Sequence, residues 1–268
     1  MNYQGGKARV PELGECLAVL TARLNLGLAD ECCGGLWISR NTHLAGGKVR
    51  RVADKCQELI WLYEAVRDGW EPPPRVTSDE YRALMQDRER LTSERSPLLA
   101  FVGFGCSYGG RWWRGRKPDD ERYTGETARY AAAKTRRDLL EMRDFLRTVE
   151  IECSDVMVRD PLTTDLTIYD TPYEGVAGFD ATGEFDHAKW KPRVTELATK
   201  TPVLVTEFSM PDPWRIVKEW RIPSPGLRKL TIERLWAHES GVLFAALAEE
   251  LLRDMSGRSG RRRARCVV

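Results

Sequence analysis

Four short apolar runs in this chain end on, or next to, an aspartate: "LGLAD" at Asp30, "KVRRVAD" at Asp54, "VEIECSD" at Asp155 and "LTIYD" at Asp170. Runs of this length bounded by turn residues read as strands, and helical stretches lie between them. Leu13, Cys16, Leu17, Leu20 and Leu24 share one face of a helix over 11–25, and Leu59, Leu62, Tyr63 and Val66 share one over 56–70. Strands alternating with helices predict an α/β domain with a mainly parallel sheet. Ligands of such sheets sit beyond the carboxyl ends of the strands. One acid there is a turn former. Four at successive strand ends predict a site that wants hydroxyl and amine donors.

The remaining elements follow the same logic. "LGLADECCGGLWIS" reads as a short strand running into a Gly-Gly turn, and Gly46-Gly47 as a second turn. Helices are expected over 126–148, over 185–200 and at the C-terminal end over 241–255. "EPPPRVTSDEYRAL" reads as a proline break before a helix capped by Thr77 or Ser78. Strands are expected at "PVLVTEF" and "LTIERLWAHES", and "PWRIVKEWRI" reads as a short helix or turn running into a strand. The sheet domain is therefore built from 1–69 and 147–256, with 70–146 inserted between its elements. Residues 257–268 carry five arginines and no acid. They read either as a solvated tail or as a non-specific contact to phosphates.

Hydrophobic residues make up 42% of the 268, which excludes global disorder. No apolar run is long enough to span a bilayer, so no membrane partner is expected. The seven cysteines form no CxxC pair and there are three histidines, so no metal site is expected. An odd cysteine count without a secretory leader favours a reducing cytoplasm.

Several motifs resemble those of the Dam-type adenine-N6 DNA methyltransferases, especially phage members. "Y-x-G-G-K" is matched by Tyr3, Gly5, Gly6 and Lys7. An acid before an "F-x-G-G" turn is matched by Asp30 and then Cys32, Cys33, Gly34 and Gly35. Ala53-Asp54 matches an "A-D" strand end, and Asp170, Thr171, Pro172 and Tyr173 stand in the place of "D-P-P-Y". "FVGFGCSYGG", "FDH" and "VTEFSMP" are weaker similarities. The resemblance covers nearly the whole chain in the family's order. It departs from the family at Thr171, where the first proline is expected, and at Glu31-Cys32, in place of a proline and an aromatic.

The resemblance implies a Rossmann-like sheet that binds S-adenosyl-L-methionine, and a small, mainly helical DNA target-recognition region at 70–146. Double-stranded DNA is the implied partner, with a flipped adenine as substrate; cytosine N4, loss of catalysis, or transfer of another group are the alternatives. An exocyclic amine is a poor nucleophile because its lone pair is delocalised. Asp170 and the carbonyl of Thr171 are placed to accept its two N–H bonds, and Tyr173 to stack on the base. Pro172 stiffens the turn and biases Thr171 toward extended backbone, with the threonine hydroxyl expected to bond locally.

For the cofactor, Asp54 is the expected ribose acceptor, or a cap of the following helix. Asp155 meets the adenine amine, or is a loop acid. Gly5, Gly6, Gly34 and Gly35 permit close backbone approach. Lys7 meets the cofactor carboxylate or a phosphate, and Tyr3 lines the pocket. In "GGRWWRGRK", Arg111, Arg114, Arg116 and Lys117 flank Trp112 and Trp113. This segment is either a DNA contact or a loop covering the core with its tryptophans.

Overall fold

The structure, a computed structural model, describes residues 1, 3, 5–117, 131–176, 181–223 and 230–239. The expected C-terminal helix and basic tail lie outside them. In chain order the elements begin with α1 (Pro11–Leu24), β1 (Gly27–Asp30), α2 (Trp37–Leu44), β2 (Val49–Asp54) and α3 (Gln57–Arg67). The inserted region holds α4 (Ser78–Gln86), α5 (Arg88–Ser93), α6 (Pro97–Ala100), α7 (Ala131–Leu140) and α8 (Arg143–Leu146). After it come β3 (Glu150–Cys153), β4 (Asp165–Tyr169), α9 (His187–Ala198), β5 (Val203–Thr206), β6 (Trp214–Pro223) and β7 (Leu230–His238).

The strands form one seven-stranded sheet of order β3-β2-β1-β4-β5-β7-β6. The first five are parallel, whereas β7 runs antiparallel to both β5 and β6. The molecule is thus α/β with a mostly parallel mixed sheet. Side chains alternate across it with the two-residue period of a strand. Ile168 and Leu204 enter the cluster that α1, α3 and the inserted helices cover, while Tyr169, Val203 and Val205 enter a second cluster with Trp190 and Val194 of α9. Tyr81, Leu91, Phe101 and Leu139 of the inserted region belong to the first cluster, so that region shares the core of the sheet.

Local signals account for most boundaries. Thr77 caps α4 in a reciprocal capping box with Glu80. Asp186 caps α9 by accepting from the Lys189 amide at 3.1 Å. Three expectations change. The short strand and glycine turn expected over 26–39 are present, with β1 ending at Asp30, but the chain then continues as a helix, Trp37–Leu44. Among its described side chains Ser39 and Thr42 are buried alongside Ile38, so the buried face of α2 lacks an apolar period. The helix expected over 126–148 is divided into α7 and α8, with residues 126–130 outside the described set. The 213–222 stretch is strand from Trp214 onward, paired along its length with β7.

Candidate active site

Strand order reverses between β1 and β4. At such a switch point the chain leaving neighbouring strands goes to opposite sides, and a crevice opens between them. Here the turn after β1, Cys32–Gly35, and the turn after β4, Asp170–Tyr173, line a cavity of about 200 Å³. Tyr3, Gly5, Gly6 and Lys7 close one side, with Phe208 beyond β5 and Glu233 of β7 on another. A smaller cavity of about 70 Å³ is lined by Asp54 and Lys55 after β2, Ser154, Asp155 and Val156 after β3, and Phe185. The two share Tyr3, Cys32, Asp170 and Pro172, which makes them halves of one cleft along the strand ends.

In the smaller half the acids are tied to the backbone. The Gly34 and Cys56 amides donate to Asp54 Oδ2 and Oδ1, both at 2.9 Å. Asp54 thus fastens the turn after β1 to the end of β2 and the start of α3. Burial raises its pKa, and these amides oppose the rise. A carboxylate offers about four lone pairs, so acceptor capacity remains. Asp155 accepts from the Met157 amide at 2.9 Å and pairs with Lys55 at 2.9 Å. Burial pushes its pKa up, but the Met157 amide and Lys55 outweigh that and hold it below the usual value.

In the larger half the acid is held by side chains. Lys7 Nζ lies 2.7 Å from Asp170 Oδ1, 3.8 Å from Glu233 Oε2 and 4.7 Å from the centre of the Tyr173 ring. Thr206 also donates to Asp170 Oδ1. Burial alone would lower the Lys7 pKa, but Asp170, Tyr173 and Glu233 raise it overall, so the ammonium is charged. Where the sequence reading gives Lys7 an anion of the ligand, the structure pairs it with carboxylates of its own chain. The Tyr173 hydroxyl donates to Glu233 Oε2 at 2.6 Å, and its ring meets Phe208 edge-on with centroids 4.7 Å apart. Burial pushes the Tyr173 pKa well up, which keeps the phenol a donor.

Thr171 is only 3% exposed and lines the larger cavity. Its hydroxyl is buried and has no hydrogen-bond partner, contrary to the local bond expected of it. Gly34 and Gly6 line the larger cavity, as expected of them, and also leave room for neighbouring rings. Gly34 has φ +43°, and an added Cβ would lie 2.7 Å from the Tyr3 ring; one at Gly6 would lie 3.0 Å from Trp37. These glycines admit aromatic rings of the protein itself.

Asp30 lines neither half. It is 1% exposed and accepts from the Ser39 hydroxyl at 2.6 Å. Burial, opposed by Ser39 and reinforced by Asp170, Asp54 and Glu31, raises its pKa to about 7. Glu31 forms a buried ion pair with Arg51 of β2, both side chains being 2% exposed. This pair occupies the place where the resemblance leads one to expect proline.

The basic segment also departs from an exposed aromatic contact. Trp113 is 7% exposed and packs on Tyr81 with centroids 5.1 Å apart. Trp112 packs on Phe104 at 4.5 Å, and Phe104 on Tyr3 at 5.0 Å. Arg116 donates to the Val76 carbonyl at 2.9 Å, and the Lys117 amide to the Cys106 carbonyl at 2.8 Å. Trp113 therefore belongs to the core, and Trp112, partly buried, packs against it. Arg114 and the 68% exposed Tyr108 form the outer face, with Arg111 partly exposed.

Sequence reasoning missed Lys55, Phe208, Glu233 and Phe185 as cleft residues, and Thr206 as a donor to Asp170. "VTEFSMP" and "FDH" contain Thr206, Phe208 and Phe185, so a signal existed for three of them. Glu233 sits mid-strand and carries none.

Among the described residues, no helix is long and apolar enough to cross a membrane, and no His/Cys/Asp/Glu cluster could hold a metal ion. No protein-family model matches the chain, and no curated protein matches it. Fold and cleft together define an α/β protein with an acidic, aromatic-lined site at the switch point of its sheet.

Proposed function

We propose that the chain is an S-adenosylmethionine-dependent DNA methyltransferase acting on the N6 amine of adenine in a flipped-out base. One observation carries this reading: two chemically different half-sites meet at Asp170 and Pro172, on the switch point of the sheet.

The smaller half suits an adenosine. Asp54 has acceptor sites left for ribose hydroxyls, Asp155 can accept from a ring amine, and Phe185 offers an apolar face. When bound, the cofactor supplies an electrophilic methyl group on a sulfonium. The larger half suits a base. Asp170 and the Thr171 carbonyl accept the two amine N–H bonds, while Tyr173 and Phe208 wall the ring. Lys7 and Thr206 both sit on Asp170 Oδ1, so the other carboxylate oxygen is the one left to accept from the amine.

The Lys7–Asp170 pair also favours a second reading, a DNA-binding protein of this fold in which the acid is permanently neutralised. Calorimetry with S-adenosylmethionine separates the two. Binding by the wild-type protein, weakened by Asp54→Ala, supports the methyltransferase. No binding at millimolar cofactor removes it and leaves the binding protein.

A further inference from the structure

Thr171 is the residue of the larger half whose chemistry the reading above leaves unused. That reading needs only its carbonyl, which any residue supplies. Threonine adds a hydroxyl, and the fold gives that hydroxyl nothing to bond. Buried polar groups are almost always hydrogen-bonded, and an orphan is a standing cost. The residue is 3% exposed, follows Asp170 directly, and lines the cavity that also holds Lys7, Tyr173 and Glu233. Nearby hydroxyls do find partners: Thr206 donates to Asp170 and Tyr173 to Glu233.

We propose that the Thr171 hydroxyl is a specificity-determining donor that hydrogen-bonds the ring nitrogen next to the target amine. The inference rests on the base-amine reading and deepens it. An exocyclic amine of adenine lies between two ring nitrogens, N1 and N7, that carry lone pairs and no proton. With Asp170 accepting from the amine, a neighbouring donor matches that acceptor. The paired acceptor and donor recognise an amine flanked by a bare ring nitrogen. They disfavour a keto group flanked by N–H, because Asp170 would then face another acceptor and the hydroxyl would have to turn round and accept. A site built to hydrogen-bond its substrate discriminates strongly against one that leaves its polar groups unpaired.

The test begins with the recognition site read from a modification map of DNA treated with the wild-type protein. Duplexes carrying that site are made with adenine, 1-deazaadenine or 7-deazaadenine at the target. Single-turnover transfer from labelled S-adenosylmethionine is then measured for the wild type, Thr171→Val and Thr171→Ser. One analogue should slow the wild type about 10-fold, the size of a lost base-reading hydrogen bond. Thr171→Val should be slowed about as much on adenine and no further on that analogue, and Thr171→Ser should restore the rate. Without ligand, Thr171→Val should melt about 2–4 °C higher than the wild type, because it removes an orphan hydroxyl. Equal slowing of wild type and Thr171→Val by both analogues would overturn the inference while leaving the methyltransferase reading intact. A lower melting temperature for Thr171→Val would overturn it too, since the hydroxyl would then be bonded within the fold. Absence of any transfer by the wild type would overturn the parent reading and this one with it.

Discussion

Asp54 and Asp170 sit in the two halves of one cleft and are held by opposite means. Backbone amides of Gly34 and Cys56 grip Asp54, at 2.9 Å each. Side chains hold Asp170: the Lys7 ammonium at 2.7 Å and the Thr206 hydroxyl. Amides fixed in turns keep their place whatever the ligand does. A lysine side chain is exchangeable, because another donor can take its position at the acid. The smaller half is therefore preformed, and the larger half can rearrange around its acid. This suits a site that receives one ligand in a fixed pose and adjusts its own side chains around the other.

The comparison breaks if the two acids respond alike to removal. Asp170→Ala should give the largest effect, a fall in turnover on the order of 10²–10³-fold, the range for losing one preorganised group that acts in the transition state. Its melting temperature should change little, since Lys7 can turn to Glu233, 3.8 Å away. Asp54→Ala should weaken S-adenosylmethionine binding by about 1.5–3 kcal/mol, the range for a hydrogen bond to a charged group. It should also lower the melting temperature, because the Gly34 and Cys56 amides lose their acceptor. Calorimetry and thermal melts on both variants check this. A larger melting shift for Asp170→Ala than for Asp54→Ala would reverse the assignment of rigid and exchangeable halves.

Lys7→Met sharpens the comparison from the other partner. It leaves Asp170, whose side chain is 13% exposed, without its counter-ion. A fully buried pair broken this way costs about 3–5 kcal/mol, and partial wetting brings the expected loss to about 2 kcal/mol in urea melts. Adding Asp170→Asn should recover most of it. A double variant no more stable than Lys7→Met would show that Lys7 acts through other contacts.

Asp30 belongs to neither half, and its contribution is to pH dependence. Its folded pKa of about 7 lies above the ordinary carboxyl value. Between those two values the folded state holds a proton that the unfolded state has lost. Stability therefore falls as pH rises through that window and levels off above about 7. Asp30→Asn should melt higher than the wild type at pH 8, with the gap closing toward pH 4. Melts across pH 4–8 read this directly, and a gap that widens toward acid would contradict it.

The parallel core of the sheet was legible because its strands are short apolar runs that stop at acids. Each of these ends, including Asp155 two residues past β3, lies where that pattern puts it. The α2 helix was not legible, because the residues it buries include Ser39 and Thr42, so no apolar stripe marks it. Within the site, Tyr3, Lys7, Asp54 and Tyr173 could be picked out from local motifs and all line the cleft. Glu233 could not, since an acid in an amphipathic strand reads as its wet face. For Trp113 the sequence left burial and DNA contact both open; its place is set by Tyr81, thirty-odd residues earlier, and by a backbone φ of 51°. Pairings across such distances are set by packing, which motif order does not record.

The most direct test of the central claim is transfer of label from S-adenosylmethionine to unmethylated genomic DNA, with the modified bases mapped by sequencing. The expected result is label on adenine N6 at one recurring sequence for the wild type, and none for Asp170→Ala despite retained DNA binding. Unmodified DNA from a wild-type protein that binds both DNA and cofactor would contradict the claim that the two halves of the cleft join donor to acceptor.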